Sequence, residues 1–247
     1  MNTTLETIYQ LRTIHGNFSE KEVSDQDLDA ILQASVRAAN ASARQSYSII
    51  ALTDRQVVHE EFGYNGKALL FCVDYNRIIE TAKYLGKEFK MSGIHSFITG
   101  STDTILAAQT AAVAAKSLGI DSLFTNAVHR CNISNLYKTF DLPRKYCFPL
   151  IALILGYPKT EVRYNKGRIT DKGVIHNNKY SKLNADGLAS LVDSYDDHEK
   201  HLGLIDNWEE KGYKHYLDWF YTAWSTGEPL EKQAEILETL KSAGFIG

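Results

Sequence analysis

The chain has 247 residues, of which 44% are hydrophobic and 23% are charged, and it contains only 4 prolines. This composition is typical of a globular protein and excludes the disordered and fibrous classes. A formal net charge of -3 also excludes a general electrostatic attraction to nucleic acid or to an anionic membrane surface.

Three cysteines, Cys72, Cys131 and Cys147, are widely separated and form no Cys-x-x-Cys pair. An odd number at such spacings predicts reduced thiols rather than a disulfide framework, a zinc site or an iron–sulfur cluster. The first residues lack the apolar core of a secretion signal, and the most apolar stretch, 105–118, is shorter than the ~20 residues that a membrane-spanning helix needs. We therefore expect a cytoplasmic protein without a membrane segment.

The first half of the chain alternates helical and strand patterns. Apolar residues at helical spacing follow a cap-like Ser24, and short runs rich in β-branched and aromatic residues predict strands. A later Ala-rich segment predicts a helix in a core or dimer interface, capped by Ser101 or Thr102 and stopped by Gly119. The predicted elements are a helix of about four turns over 24–39, strands over 46–52 and 68–73, a surface helix over 77–90 and the Ala-rich helix over 103–118.

The second half continues this mixture and then changes in composition. Strand patterns cover 122–128 and 150–155, with a helical pattern over 132–140 between them. Residues 160–184 are rich in Lys, Arg, Asn and Gly, which predicts a long surface connection of the kind that often carries function. An aromatic stripe at helical spacing follows between Trp208 and Trp224, and a final helix is predicted over 228–243, ending at Gly244.

The common signatures of nucleotide-binding and hydrolytic enzymes are absent from the sequence. No G-x-G-x-x-G or G-x-x-x-x-G-K-[ST] loop, G-x-S-x-G elbow or H-E-x-x-H pair occurs. His198 and His201 lie in a charged helical pattern, where solvent exposure fits better than metal binding. We therefore predict no metal site.

Three polar clusters remain as candidates for chemistry, and each has a purely structural alternative. The N-terminal turn (residues 12–18) combines a cation, a hydroxyl and an imidazole, or carries an ordinary surface charge. In the bridge segment (residues 39–47), small side chains let backbone N–H groups approach a flat ligand, or simply make a tight turn. In the basic segment (residues 166–168), two cations flank a Gly and suit a phosphate, or form a solvated pair.

Together and in this order, these clusters resemble the nitroreductase family of FMN flavoproteins. That family has an Arg-Ser-x-Arg-like turn, a Pro-Ser-x-x-Asn-x-Gln-Pro-Trp-like bridge, and a Gly-Tyr-Pro plus Lys-x-Arg unit. The matching residues here are Arg12-Thr13-Ile14-His15, then 40–47 with Gln45 in place, then Gly156-Tyr157-Pro158 and Lys166-Gly167-Arg168. The resemblance covers about residues 5–180.

The resemblance implies a set of residues around the phosphate of the cofactor. Arg12, Lys166 and Arg168 would hold the FMN phosphate, and Thr13 and His15 would support it. A dianionic phosphate needs several charge-assisted hydrogen bonds, which these side chains can donate.

The resemblance also implies residues beside the isoalloxazine ring. Bridge residues, contributed by the partner subunit, would follow the ring or the ribityl chain. A backbone N–H at the end of a strand would point at flavin N5 from the opposite face. Asp103 would start the dimer helix near the ring. The implied residues are Ala39, Asn40, Ala41 and Gln45 in the bridge segment and Phe124, Thr125 and Asn126 at the strand end.

Several residues depart from the family pattern. His15 replaces the second basic residue and is followed by an inserted Gly16, Ala43 replaces the bridge Asn, and Ser46-Tyr47 replaces Pro-Trp. These changes leave cofactor binding in place and affect ring contacts and substrate preference. Asn126 takes the place of an acid that some members carry under the flavin, which predicts a modestly raised flavin potential.

The resemblance implies an FMN-dependent oxidoreductase that uses NADH or NADPH. Hydride would pass through flavin N5 to an electron-poor small molecule, such as a nitroaromatic, quinone or enone, by a ping-pong mechanism. Reductive dehalogenation, flavin breakdown and a non-catalytic flavin-binding sensor or store remain alternatives.

The fold implied by the resemblance is α+β, with a central mixed, mainly antiparallel sheet flanked by helices in an intertwined homodimer. Residues 1–185 would form the FMN-binding domain, and 186–247 a helical C-terminal extension packed on that domain or across the dimer. The aromatic stripe would pack this extension, or Trp208 or Tyr213 would cap the substrate pocket.

Overall fold

The computed structural model describes residues 2–130, 132–170, 173–225 and 227–247. The described part of the chain contains ten α-helices and four β-strands. In chain order these are α1 (Thr3–Tyr9), α2 (Asp25–Ser35), β1 (Tyr47–Leu52), α3 (Arg55–Phe62), β2 (Lys67–Asp74), α4 (Asn76–Tyr84), α5 (Ile94–Ser117), β3 (Asp121–Thr125), α6 (Ala127–Arg130), α7 (Ile133–Thr139), β4 (Cys147–Gly156), α8 (Ala185–Asp196), α9 (Tyr216–Trp224) and α10 (Leu230–Ser242).

The four strands form one sheet in the order β1-β2-β4-β3, and each neighbouring pair is antiparallel. The parallel component is an isolated bridge between Thr13 and Ser122. Successive residues of a strand point to opposite faces, and nearly every residue of β2 is buried, so this strand is covered on both faces. The predicted α+β fold with a mainly antiparallel sheet is confirmed.

The Ala-rich helix α5 packs on one face of the sheet together with α2. Its buried side is formed largely by alanines, whose small side chains let the helix lie close to β2 and β4. Gly100 allows the closest approach, because a Cβ at this position would lie 2.5 Å from Val73 Cγ1. The core between helix and sheet includes Tyr47, Leu69, Phe71, Leu153 and Leu155.

The predicted start of α5 at residue 103 is wrong. The helix begins at Ile94, after Gly93, and Ser101 and Thr102 lie inside it rather than at its cap. The Phe97 ring packs at 5.5 Å from Phe148 and 5.3 Å from Phe245, and these tertiary contacts stabilise a first part of the helix that lacks a local capping signal. The predicted stop is confirmed, since Gly119 follows the helix with a left-handed φ of 74°.

Other predicted boundaries are corrected by smaller amounts. The first helical pattern ends at Ser35 instead of 39, and the surface helix at Tyr84 instead of 90. Strand β3 ends at Thr125, where the Thr125 hydroxyl accepts a hydrogen bond from Ala127 N and the chain turns into α6. Within the aromatic stripe only 216–224 is helical, so Trp208 lies outside that helix.

The chain forms two compact units. Unit 1 comprises Met1–Glu161 and Pro229–Gly247, and unit 2 comprises Val162–Glu228. Phe245, near the end of the chain, is fully buried in unit 1. The domain boundary expected at residue 185 stays a prediction.

Unit 2 is built around an aromatic cluster. Trp208 is 2% exposed, stacks on His198 at 4.4 Å and meets the edge of Tyr216 at 5.6 Å. Tyr216 in turn stacks on Tyr195 of α8 at 5.5 Å. These contacts support the packing interpretation of Trp208. The described part of 160–184 contains no helix or strand, in agreement with the predicted long connection.

Two cysteines are free and buried on neighbouring strands, Cys72 on β2 and Cys147 on β4. A hydrogen bond with Cys147 and burial together raise the pKa of the Cys72 thiol well above its ordinary value. Cys131 lies outside the described residues. Among the helices described, none combines the length and the apolar character required to cross a bilayer.

Candidate functional site

The N-terminal turn is held against the segment that follows β4. A tight turn carries His15 and Gly16 with left-handed φ values of 42° and 79°, and it closes with a 2.8 Å hydrogen bond from Asn17 N to Ile14 O. The chain then pairs with 157–160, since Phe18 bridges Pro158 and Asn17 O accepts from Lys159 N at 2.8 Å. The structure thereby brings together two of the motifs on which the family resemblance rests.

Arg12 lies in an ion-pair network on unit 1. Its Nε and Nη2 donate to Asp121 Oδ2 at 3.0 and 2.7 Å, and its Nη1 donates to Glu161 Oε1 at 2.8 Å. Lys116 Nζ donates to the other oxygen of Asp121 at 2.8 Å. The Asp121 side chain is 3% exposed, whereas that of Glu161 is 75% exposed. Asp121 is therefore a fixed anchor for Arg12, and Glu161 is a surface partner that can be displaced.

The network changes the pKa of both of its central groups. Burial opposes ionisation of Asp121, but the hydrogen bonds from Arg12 and Lys116 outweigh it and lower the pKa below its ordinary value. The hydrogen bond with Asp121 raises the pKa of Arg12 further above its already high value. Both groups therefore stay charged at neutral pH.

The residue that follows Arg12 in the chain, Thr13, has a buried hydroxyl. Thr13 Oγ1 is buried and, among the described residues, has no hydrogen-bond partner, although the backbone of Thr13 bridges Ser122. A buried hydroxyl without a partner is unfavourable, so such groups often mark a place where a ligand binds. The His15 side chain, by contrast, is exposed.

The bridge segment has an unusual backbone. It contains a short 3-10 turn, Ala41–Ala43, and three non-glycine residues in the left-handed region: Ser42 at φ 54°, Ala43 at 54° and Gln45 at 50°. The Asn40 side chain closes the loop by accepting a hydrogen bond from Gln45 N at 3.1 Å. The Ser46 hydroxyl is buried and has no partner among the described residues.

Two side chains from other elements hold the bridge segment. Asp103, in the interior of α5 and 1% exposed, accepts from Ala41 N at 2.8 Å and from Ser46 N at 3.3 Å. Arg77, on α4, donates from Nη2 to the carbonyls of Arg44 and Gln45 at 2.8 and 2.7 Å. Asp103 thus does not start its helix as expected. Arg77 was missed by the sequence analysis, because its partners are backbone carbonyls more than 30 residues away.

The end of β3 presents the other predicted ring contacts. Phe124 and Thr125 are half-buried, and Phe124 packs against the core formed by α2, α5 and the sheet. Asn126 is exposed, and its carbonyl accepts from His129 N at 3.0 Å as the chain enters α6. These residues lie on unit 1, as do the N-terminal turn and the bridge segment.

The basic segment lies on unit 2 and is held by 200–201. Gly167 N donates to His201 O at 3.1 Å, and a Cβ at residue 167 would lie 2.0 Å from Lys200 O, so the close approach requires glycine. Arg168 is exposed, and its Nη1 donates to the carbonyls of Lys166 and Gly167. Lys166 Nζ lies 3.8 Å from Asp206 Oδ1.

Comparison with known proteins identifies the family. The FMN reductase [NAD(P)H] of Bacillus subtilis (strain 168) is 31% identical over 209 residues, which cover 80% of this chain and 81% of the relative. The oxygen-insensitive NADPH nitroreductase of Salmonella typhimurium is 28% identical over 198 residues, covering 76% of this chain and 79% of the relative. The chain belongs to the nitroreductase family.

The family assignment agrees with the fold. The structure of NfrA2 from B. megaterium superposes with a TM-score of 0.81 at 26% identity, covering 100% of this chain and 99% of that one. No protein-family model matches the chain. The resemblance predicted from the three polar clusters is thus confirmed, and this nitroreductase-family member is an oxidoreductase. The individual site residues remain predictions.

Proposed function

We propose that the protein is an FMN-dependent oxidoreductase that oxidises NADH or NADPH and reduces an electron-poor small molecule. The observation that carries this proposal beyond family membership is the buried Thr13 hydroxyl, which has no hydrogen-bond partner among the described residues and directly follows the ion-paired Arg12 in the chain. A hydroxyl and a fixed cation on neighbouring residues are groups that suit a phosphate oxygen. The residues present therefore fit FMN.

On unit 1, Arg12 would hold the phosphate, and Thr13 and His15 would support it. A guanidinium has five N–H groups, and the hydrogen bonds to Asp121 and Glu161 use three of those of Arg12. Displacement of the exposed Glu161 would free Nη1 of Arg12 to donate to the phosphate, while Asp121 keeps the guanidinium in place. Lys166 and Arg168 would add two further cations.

The ring would lie between the bridge segment and the end of β3. Ala39, Asn40, Ala41 and Gln45 would contact it on one side, and Phe124, Thr125 and Asn126 on the other. Backbone N–H groups suit this role because they donate hydrogen bonds from fixed positions and do not ionise at neutral pH. When bound, FMN supplies the redox chemistry by accepting hydride from NADH or NADPH and passing it, in ping-pong order, to a nitroaromatic, quinone or enone.

The proposal includes a cytoplasmic homodimer. Helix α5 exposes Ile98, Ile105 and Leu106 on the side away from its alanine face, with Ile105 52% exposed, and α1 exposes Leu5 and Ile8. A run of exposed large apolar residues supports burial against a second subunit. The free thiols Cys72 and Cys147 support a reducing compartment.

An absorption spectrum and anaerobic reduction test this proposal. The purified protein should show the yellow flavin bands, NADH or NADPH should bleach them, and a nitroaromatic or quinone should restore them. Steady-state rates at several acceptor concentrations should give parallel double-reciprocal lines. A protein that binds no flavin would contradict the proposal, and intersecting lines would contradict the ping-pong order alone.

The Thr13 hydroxyl can be tested by an isosteric change. Thr13→Val should weaken FMN binding about tenfold, since one hydrogen bond to a charged phosphate contributes about 1.5 kcal/mol. The same change should leave the stability of the flavin-free protein unchanged or slightly raised, because the hydroxyl has no hydrogen-bond partner among the described residues. Fluorescence titration with FMN and chemical denaturation measure the two effects, and Thr110→Val, at an exposed hydroxyl of α5, is the control.

Removal of the Glu161 charge should have the opposite effect and strengthen FMN binding. The Glu161 carboxylate competes for Arg12, so Glu161→Gln should strengthen FMN binding a few-fold, corresponding to about 0.5 kcal/mol for an exposed ion pair. The gain should shrink at high salt, as expected for a screened interaction. Titrations at low and high ionic strength measure it. Weaker binding of FMN to this variant would show that Glu161 supports Arg12 instead of competing for it.

A further inference from the structure

The bridge segment needs restraint from outside itself. Three of its non-glycine residues, Ser42, Ala43 and Gln45, have left-handed φ values, a conformation that L-residues adopt at a cost. Two hydrogen bonds within the segment close the loop, one from Gln45 N to Asn40 Oδ1 and one from Arg44 Nε to Ala41 O. These two bonds do not attach the segment to the rest of unit 1. The attachment must come from other elements.

Asp103 and Arg77 provide that attachment through complementary groups. The Asp103 carboxylate accepts hydrogen bonds from two backbone N–H groups, those of Ala41 and Ser46, which flank the left-handed residues on either side. The Arg77 guanidinium donates hydrogen bonds to the carbonyls of Arg44 and Gln45. Four backbone groups of the segment are thereby oriented by two charged side chains on α5 and α4.

The burial of Asp103 supports a geometric role. A carboxylate that is 1% exposed is expensive to desolvate, and the hydrogen bonds described for it come from backbone N–H groups rather than from a cation. An apolar residue would pack at this position of α5 without that cost. What only a carboxylate supplies is a pair of acceptors that fix Ala41 and Ser46 together.

We propose that Asp103 and Arg77 are positioning residues that hold the bridge segment in the conformation that contacts the flavin. This inference rests on the proposed function, because it assigns the bridge segment to the cofactor. Asp103 acts through Ala41 and Ser46, and Arg77 through Arg44 and Gln45, so neither side chain needs to touch the flavin. Loss of either should let the left-handed residues relax and should weaken FMN binding.

The test compares Asp103→Asn, Arg77→Met and Arg77→Lys with the control Lys83→Met on the same helix. Asn places an N–H₂ group against a backbone N–H, Met keeps the stem of Arg77 without its donors, and Lys restores a donor. Asp103→Asn and Arg77→Met should weaken FMN binding about tenfold or more and change the visible circular dichroism of the bound flavin. Arg77→Lys should recover part of the affinity, and Lys83→Met should match the wild type.

Hydrogen exchange of the flavin-free full chain provides a readout that is independent of the cofactor. The amides of Ala41 and Ser46 should exchange faster in Asp103→Asn and in Arg77→Met, while the Arg77→Met melting temperature should equal that of the control. Unchanged exchange at both amides, or wild-type FMN affinity in folded Arg77→Met, would overturn the inference even if Asp103→Asn fails to fold. A wild-type protein that takes up no FMN would instead overturn the proposed function.

Discussion

Replacing Asp121 with Asn should lower the free energy of unfolding by about 3 kcal/mol, since it removes the buried negative charge that Arg12 and Lys116 share. Asp121 is 3% exposed and binds two cations, Arg12 and Lys116, whose side chains are themselves largely buried. Denaturation by urea measures the loss, and Asp29→Asn, at an exposed position of α2, is the matched control. Equal effects of the two changes would show that the network contributes nothing to stability.

The same comparison should depend on pH in a defined direction. The folded state holds the pKa of Asp121 below its unfolded value of about 3.9. A lowered pKa contributes stability that is fully present above the unfolded pKa and is lost as pH falls through the folded pKa. The difference between wild type and Asp121→Asn should therefore be constant near neutrality and shrink below about pH 4. A difference that grows on acidification would contradict the charge assignment.

Gly167→Ala should weaken FMN binding roughly 30-fold, because overpacking of this kind costs about 2 kcal/mol. The added methyl group would lie 2.0 Å from Lys200 O, a backbone atom that cannot rotate away. The basic segment must then move, and Lys166 and Arg168 move with it. Fluorescence titration with FMN measures the effect.

The control for this change is Gly227→Ala, where a Cβ meets nothing within 4 Å. It should leave both affinity and melting temperature unchanged. If Gly167→Ala folds and binds FMN as the wild type does, the placement of the basic segment is unimportant for the phosphate, and the roles proposed for Lys166 and Arg168 fall with it.

The sequence predicted local structure well where local chemistry decides it. The strand patterns, the Asn132-capped helix α7 and the Gly119 stop are all present, because β-branched runs, side-chain caps and left-handed glycines act over a few residues. The predicted start of α5 was wrong because contacts between distant residues decide it. Ile94 begins that helix because Phe97 packs against Phe148 and Phe245, which are distant in sequence.

Sheet order and the contacts of the site were also beyond local reasoning. Strand β2 pairs with β4 although all the elements from α4 to α7 lie between them in the chain, and no short sequence pattern specifies this pairing. The sequence singled out Arg12 but not Asp121, which lies 109 residues away and resembles any other strand-edge acid until the fold is known. The role of Arg77 could not be predicted, because a hydrogen bond to a backbone carbonyl requires no particular residue type as the acceptor.

The discontinuity of unit 1 affects how the protein is made. Residues 1–161 carry the four strands of the sheet, yet Phe245, which contacts Phe97, belongs to a segment that follows unit 2 in the chain. During translation, Phe97 lacks its contact with Phe245 until residue 245 has been synthesised. A nascent chain that stalls within unit 2 would therefore leave the apolar ring of Phe97 incompletely packed, and exposed apolar surface of this kind favours aggregation and chaperone binding.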